Sequence, residues 1–245
     1  MKKRLVIKRR AVMKRRLVIL LLGIGLITAR GFSKGFDFTH STKLLTTRNT
    51  SFKNTSKSKS NILLVNRSNR LDKDHVPQSL TTPNVRFISY ADNRVKKMDT
   101  TAAKALENLF NAAEEDGVNL LAVSGYRAYS YQEMLYNNKV AAAGRVEADK
   151  YVAQPGASEH NTGLAMDVLS DEYSSLDEGF EQTEAYKWLE DNCYKYGFII
   201  RYLRGKEDIT GYNYEPWHLR YVGVSEATEI SEEHITLEEY LNKVE

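Results

Sequence analysis

Residues 158–167 read SEHNTGLAMD, a polar loop that runs directly into an apolar strand pattern. The strand is predicted over residues 164–170, LAMDVLS, and Gly163 permits the tight turn that enters it. Because side chains alternate along a strand, Asp167 faces away from the apolar residues on either side of it. A carboxylate in such a strand is costly unless it is paired, solvated or bound to a cation. We therefore expect Asp167 to point across the sheet toward a neighbouring strand.

A second stretch, residues 213–223, reads NYEPWHLRYVG and predicts a strand over residues 217–223. Alternation places His218 on the face opposite the larger apolar side chains of this strand. If this strand pairs with the strand that carries Asp167, the two side chains meet. His160 then arrives from the polar loop. The sequence thus predicts that two imidazoles and one carboxylate converge.

Two imidazoles and one carboxylate match the ligand set of catalytic zinc, in which a fourth position stays open for water. Pro216 is expected to end regular strand pairing and to displace Glu215 from the strand. Glu215 is then free to act as the general base toward zinc-bound water. The HExxH motif is absent from the sequence, so the helix-borne zinc geometry of that motif does not apply.

A third motif, SGYRAYSYQ, spans residues 124–132, where a predicted strand ends and a helix begins. Arg127 lies in the turn between them. An arginine fixed in such a turn can hold a substrate carboxylate through two hydrogen bonds or stabilise a developing oxyanion. The motif therefore adds a candidate substrate-binding and catalytic cation.

Together, SGYR with YQ, SEHNTGLAMD and EPWH resemble the VanY-type D-alanyl-D-alanine carboxypeptidases, which are zinc peptidases of peptidoglycan metabolism. The resemblance covers roughly residues 61–223. It implies one zinc ion per chain, bound by His160, Asp167 and His218, with Glu215 as the catalytic base. It further implies substrate contacts by Arg127, Gln132 and Ser158, with Tyr202 and Trp217 shaping the site.

The expected function is removal of the C-terminal D-alanine from peptidoglycan stem peptides. Two alternatives stay open. One is an L,D-carboxypeptidase that shares the metal site but acts on tetrapeptide stems. The other is a non-catalytic, zinc-containing module that binds the cell wall. The mechanism that the resemblance implies needs no covalent intermediate, so it requires no serine or cysteine nucleophile.

The remaining pattern predicts the α+β class, with helices packed on a small, mainly antiparallel sheet in meander order. Residues 146–163 read mostly as loop. One catalytic domain is expected over residues 61–245. Helices are predicted over residues 100–117, 129–144, 184–197 and 236–244, and further strands over 62–65, 119–125 and 198–202.

Charge divides the chain into unlike parts. Residues 1–30 contain ten Lys or Arg and no Asp or Glu, and they include an uncharged apolar run of thirteen residues. This pattern indicates a secretory signal or membrane anchor, so we expect an exported bacterial protein. Residues 31–60 are typical of a flexible tether rich in Ser, Thr, Asn and Lys. Residues 81–245 carry a net charge of −13, which argues against a nucleic-acid partner. A single cysteine excludes an intrachain disulfide framework.

Overall fold

The computed structural model describes residues 62–244 of the chain. The signal or anchor predicted over residues 1–30 and the tether predicted over residues 31–60 lie outside the described residues. Among the helices of residues 62–244, none is both long enough and apolar enough to cross a membrane.

Helices and strands alternate irregularly along the described part of the chain. The α-helices within residues 62–244 are α1 (Thr100–Glu115), α2 (Tyr129–Ala143), α3 (Arg145–Tyr151), α4 (Glu184–Asn192), α5 (Glu207–Thr210), α6 (Val224–Glu233) and α7 (Leu237–Val244). The strands are β1 (Leu80–Thr81), β2 (Met98–Asp99), β3 (Leu120–Ser124), β4 (Ala165–Ser170), β5 (Phe198–Tyr202) and β6 (Glu215–Tyr221).

The main sheet has four antiparallel strands in the order β3-β4-β6-β5. The predicted α+β class is confirmed, but the predicted meander order is wrong. The long connection through α4 lets β5 skip one position, and β6 returns to fill it. As a result, β6 is hydrogen-bonded on both edges, which fixes its register against β4.

One face of the sheet packs against α1 and closes the main hydrophobic core. Asp99 caps α1 by accepting hydrogen bonds from two backbone N–H groups of its first turn. Leu106 of α1 and Met166 of β4 are fully buried in this core. The opposite face of β4 and β6 is consequently left to carry polar side chains.

Two local predictions need correction, and the predicted elements omit α6. Residues 62–65 form no strand, because the carbonyl of Leu63 accepts a hydrogen bond from the guanidinium of Arg220 instead of a strand partner. The region predicted as mostly loop contains α3. Because Ala148 is the only buried side chain of this helix, its sequence shows no apolar periodicity from which a helix could be predicted. Helix α6 was not predicted, since it buries only Ala227 and Ile230.

Candidate active site

Strand pairing brings the first two candidate ligands together. Asp167 of β4 lies directly opposite His218 of β6 in the antiparallel ladder, as the alternation pattern predicts. His160 belongs to a 3-10 turn, Glu159–Thr162, that leads into β4. Gly163 ends this turn with a φ of +73°, a conformation that only glycine adopts without strain. All three candidate ligand side chains are buried.

The ligand atoms face a common point. Asp167 Oδ1 lies 3.4 Å from His160 Nε2 and 3.4 Å from His218 Nδ1. It is buried and pairs with no hydrogen-bond donor, which is unfavourable for a carboxylate oxygen unless a cation is bound. Ligands of tetrahedral zinc with bonds of about 2.0–2.1 Å are separated by about 3.4 Å. The three side chains therefore fit zinc in chemistry; two of the three ligand separations match its spacing, and all three ligand atoms lie within 4.8 Å of one another.

The surroundings of each imidazole select its free nitrogen. His160 Nδ1 lies 2.8 Å from the carbonyl of Gly125, so Nδ1–H donates and the Nε2 lone pair faces Asp167. Burial and the positive charge of Arg127 lower the pKa of His160 to about 4. His160 is therefore neutral near pH 7, the form that binds metals.

His218 has the opposite arrangement. Its Nε2 lies 3.4 Å from the carboxylate of Glu159, and its Nδ1 faces Asp167. Burial opposes a charge on this ring, but the negative charges of the nearby Asp167 and Glu159 carboxylates outweigh burial and raise the pKa of His218 to about 9. A cation that binds at Nδ1 takes the place of that proton.

Arg127 holds the other oxygen of the candidate ligand carboxylate. Its Nη2 lies 2.7 Å from Asp167 Oδ2, and its Nε donates to Ser124 Oγ at 2.9 Å. The side chain is 16% exposed and lines the cavity in front of the cluster. Asn161 fixes the backbone here, because its Nδ2 donates to the Arg127 carbonyl at 2.6 Å. Asn161 was not among the predicted site residues, although it lies within SEHNTGLAMD.

Glu215 lies beside the cluster in a position that differs from the prediction. It is the first residue of β6 and pairs with Tyr202, so Pro216 neither ends the pairing nor displaces Glu215. A register shift places three residues of β6 opposite Arg201 alone, and this bulge accommodates the proline. Glu215 Oε2 lies 3.5 Å from His218 Nδ1. Burial raises the pKa of Glu215 to about 7, although His218 partly offsets it.

A cavity of about 840 Å³ opens in front of these groups. The buried amide of Gln132 donates to the Ala153 carbonyl at 2.8 Å, which leaves its oxygen directed toward Arg127. The Tyr202 ring lies 4.9 Å from the His218 ring, centroid to centroid. All the side chains predicted to contact substrate line this cavity: Arg127, Gln132, Ser158, Tyr202 and Trp217.

Sequence comparison identifies close relatives of this chain. Residues 95–224 match the VanY family model, which is described as D-alanyl-D-alanine carboxypeptidase. The chain is 48% identical over 191 residues to the putative carboxypeptidase YodJ of Bacillus subtilis (strain 168). That match covers 75% of this chain and 68% of YodJ.

Two solved structures share the fold and much of the sequence. The LdcB LD-carboxypeptidase, whose structure concerns peptidoglycan recognition, is 47% identical with a TM-score of 0.71, over 74% of this chain and 86% of LdcB. A mutant of the vancomycin resistance D,D-pentapeptidase VanY, in complex with Zn(II), is 38% identical with a TM-score of 0.60, over 73% of this chain and 97% of that one. The family match at residues 95–224 includes the two strands that carry candidate ligands, β4 and β6.

Proposed function

Because the chain belongs to the VanY family of D-alanyl-D-alanine carboxypeptidases, we propose that it removes the C-terminal D-alanine from peptidoglycan stem pentapeptides. The observation that carries the proposal is the buried cluster of His160, Asp167 and His218, with an unpartnered carboxylate oxygen, at the base of an open cavity. A metal site that stabilised only the fold would need neither Glu215 nor the cavity. Both features favour hydrolysis over a purely structural site.

The residues divide the chemistry between them. His160, Asp167 and His218 would hold zinc, which would supply a Lewis acid for the scissile carbonyl and would acidify the attacking water. Glu215 accepts a proton from that water and delivers it to the leaving amine of D-alanine. A side chain with a pKa of about 7 suits both halves of that transfer, because it is readily protonated and deprotonated near neutral pH. No covalent intermediate is required.

Arg127 is proposed to bind the carboxylate at the substrate C-terminus. Its guanidinium has five N–H groups, and bonds to Asp167, Ser124 and Gln132 leave donors for the cavity. A bidentate arginine distinguishes a free carboxylate from an amide. It also fixes Asp167, so its contribution to substrate binding has to be separated from its contribution to the metal site.

Replacing Arg127 with lysine tests this assignment. Lysine keeps the charge but loses the planar pair of donors. We expect kcat/KM for the free-acid peptide to fall about 10–100-fold, the range for a hydrogen bond to a charged group. The value for the same peptide with a C-terminal amide should change little. Arg204→Lys, at an exposed ion pair on Glu178 and Glu181, is the matched control. If Arg127→Lys still prefers the free-acid peptide to the amide, another group binds the substrate carboxylate.

A second candidate function is L,D-carboxypeptidase activity on tetrapeptide stems. It is supported by the 47% identity and TM-score of 0.71 to LdcB. Both activities release D-alanine and require the same metal site. They differ in the residue before the scissile bond, which is D-alanine in one case and an L-diamino acid in the other. A cavity of about 840 Å³ exceeds what a dipeptide fills, so its size alone does not exclude the longer side chain.

Defined stem peptides distinguish the candidates. The full chain is incubated with matched pentapeptide and tetrapeptide, with and without a chelator, and free D-alanine is measured by mass spectrometry. We expect faster release from the pentapeptide and none after chelation. Preference for the tetrapeptide would assign the L,D activity. Zinc-loaded protein that binds both peptides and cleaves neither would instead be a wall-binding module.

Action on the assembled cell wall, outside the cytoplasmic membrane, would require export. The basic and apolar segment of residues 1–30 is the expected signal or anchor, with residues 31–60 as the tether to the catalytic domain.

A further inference from the structure

A group of four buried charges lies behind His218, on the side away from Asp167. The carboxylate of Glu159 is fully buried, and its Oε1 accepts hydrogen bonds from Arg201 Nε and Arg220 Nη1, each at 2.7 Å. Its Oε2 lies 3.4 Å from His218 Nε2. Arg201 also donates to both oxygens of Glu238, at 2.8 and 2.6 Å. We refer to Glu159, Arg201, Arg220 and Glu238 as the buried ion cluster.

Stability alone does not account for this cluster. Both arginine side chains are 0% exposed, as is Glu159. Taking charges out of water costs several kcal/mol for each ion, and apolar replacements of buried ion pairs are often neutral or stabilising. The two positive and two negative charges balance, so the cluster is tolerated in the interior. A cluster that is costly to bury yet lies against a candidate metal ligand points to a positioning role.

The geometry shows what is positioned. Either nitrogen of a neutral imidazole can carry the proton, and only the unprotonated one binds a metal. A carboxylate at Nε2 keeps the proton there and leaves the Nδ1 lone pair facing Asp167 Oδ1, 3.4 Å away. A carboxylate behind a metal-bound histidine also fixes the plane of the ring.

We propose that Glu159 is a positioning residue that holds His218 in the tautomer and orientation of a zinc ligand, with Arg201 and Arg220 fixing the Glu159 carboxylate. The inference rests on the proposed zinc function. Two contacts link the buried ion cluster to residues outside the family match at residues 95–224. Arg220 Nη2 donates to the carbonyl of Leu63 at 2.6 Å, and Arg201 is bound by Glu238 of α7.

Glu159→Gln provides a sharp test, because the change keeps size and shape. The two arginine donors retain the amide oxygen, so the amide NH2 turns toward His218 Nε2. That nitrogen must then accept a hydrogen bond, which moves the ring proton to Nδ1, the proposed ligand atom. We expect the dissociation constant for zinc, measured by competition with a chromophoric chelator, to rise about 10–100-fold, as is typical for a lost partner of a metal ligand.

Glu238→Gln is the matched control. It removes one negative charge from the same cluster and faces the same arginine, but it does not touch His218. We expect similar losses of stability to urea in the two metal-free variants, with the dissociation constant of Glu238→Gln within about threefold of wild type. An equal weakening of zinc binding in both variants would overturn the positioning role, since the effect would then be general. Unchanged zinc binding in Glu159→Gln would do the same.

A measurement on the wild-type protein needs no variant to fold. Long-range 1H–15N NMR of the zinc-loaded chain reports which ring nitrogen of each histidine carries a proton. We expect a protonated Nε2 in His218 and a protonated Nδ1 in His160. A proton on Nδ1 of His218 would refute the inference while leaving hydrolysis by the wild type intact. Failure of the wild type to bind zinc would overturn both this inference and the proposed function.

Discussion

Replacing Glu215 with glutamine is expected to lower the turnover number for D-alanine release by about 10²–10⁴-fold, the range that a positioned general base contributes. Glutamine keeps the length and the hydrogen-bonding shape of glutamate but cannot accept the proton of the attacking water. The carboxylate lies 3.5 Å from His218 and is only 12% exposed, so bulk water does not readily replace it. Elemental analysis should still find zinc, because the three proposed ligands are unchanged.

Glu178→Gln is the control for this substitution. Glu178 lines the same cavity, but it is 58% exposed and pairs with Arg204 at the surface. We expect a turnover number close to that of wild type. If Glu215→Gln also turned over at the wild-type rate, another group would be the base. If it lost its zinc, Glu215 would be a ligand instead.

The candidate cluster was accessible from sequence because its geometry follows from strand alternation. Asp167 and His218 each lie on the polar face of a strand, and one pairing register brings them together. His160 lies seven residues before Asp167, in a turn whose direction is fixed by Gly163. These are short-range relations, and a single strand pairing is enough to assemble them.

The buried ion cluster behind His218 was not accessible in the same way. Glu159 was visible in the motif, but a charged residue in a polar loop is ordinarily solvated. Its burial depends on Arg201 from β5, Arg220 from β6 and Glu238 from α7. No local pattern reports that these distant elements meet, so tertiary packing alone gives Glu159 its environment.

The error at Pro216 has a related cause. Proline was expected to interrupt pairing because it lacks a backbone N–H donor. The register shift against β5 places it within a bulge, where that donor is not needed. Glu215 consequently reaches the cluster as part of β6, held on a strand instead of a free loop. A strand fixes a catalytic side chain more firmly than a loop does.

Replacing Asp167 with asparagine is expected to remove zinc binding and to reduce hydrolysis to background. Arg127 donates to Oδ2 at 2.7 Å, so the asparagine oxygen stays there and its NH2 takes the place of Oδ1. An NH2 group facing His160 and His218 donates hydrogen bonds and cannot bind a cation. In the metal-free Asp167→Asn protein, Arg127 still donates to the asparagine oxygen, so we expect the fold to be retained.

Zinc content and thermal unfolding measure this directly. For wild type we expect one zinc per chain, and zinc at about a thousand times its dissociation constant should stabilise the fold by about 4 kcal/mol, or roughly 8–16 °C in Tm. Asp167→Asn should contain no zinc, and added zinc should not stabilise it. Asp177→Asn is the control, since Asp177 lines the same cavity and accepts from Tyr173 and Gly179, which an asparagine oxygen can also do. An Asp167→Asn protein that bound one zinc and gained the wild-type stabilisation would exclude this carboxylate as a ligand, and with it the proposed metal site.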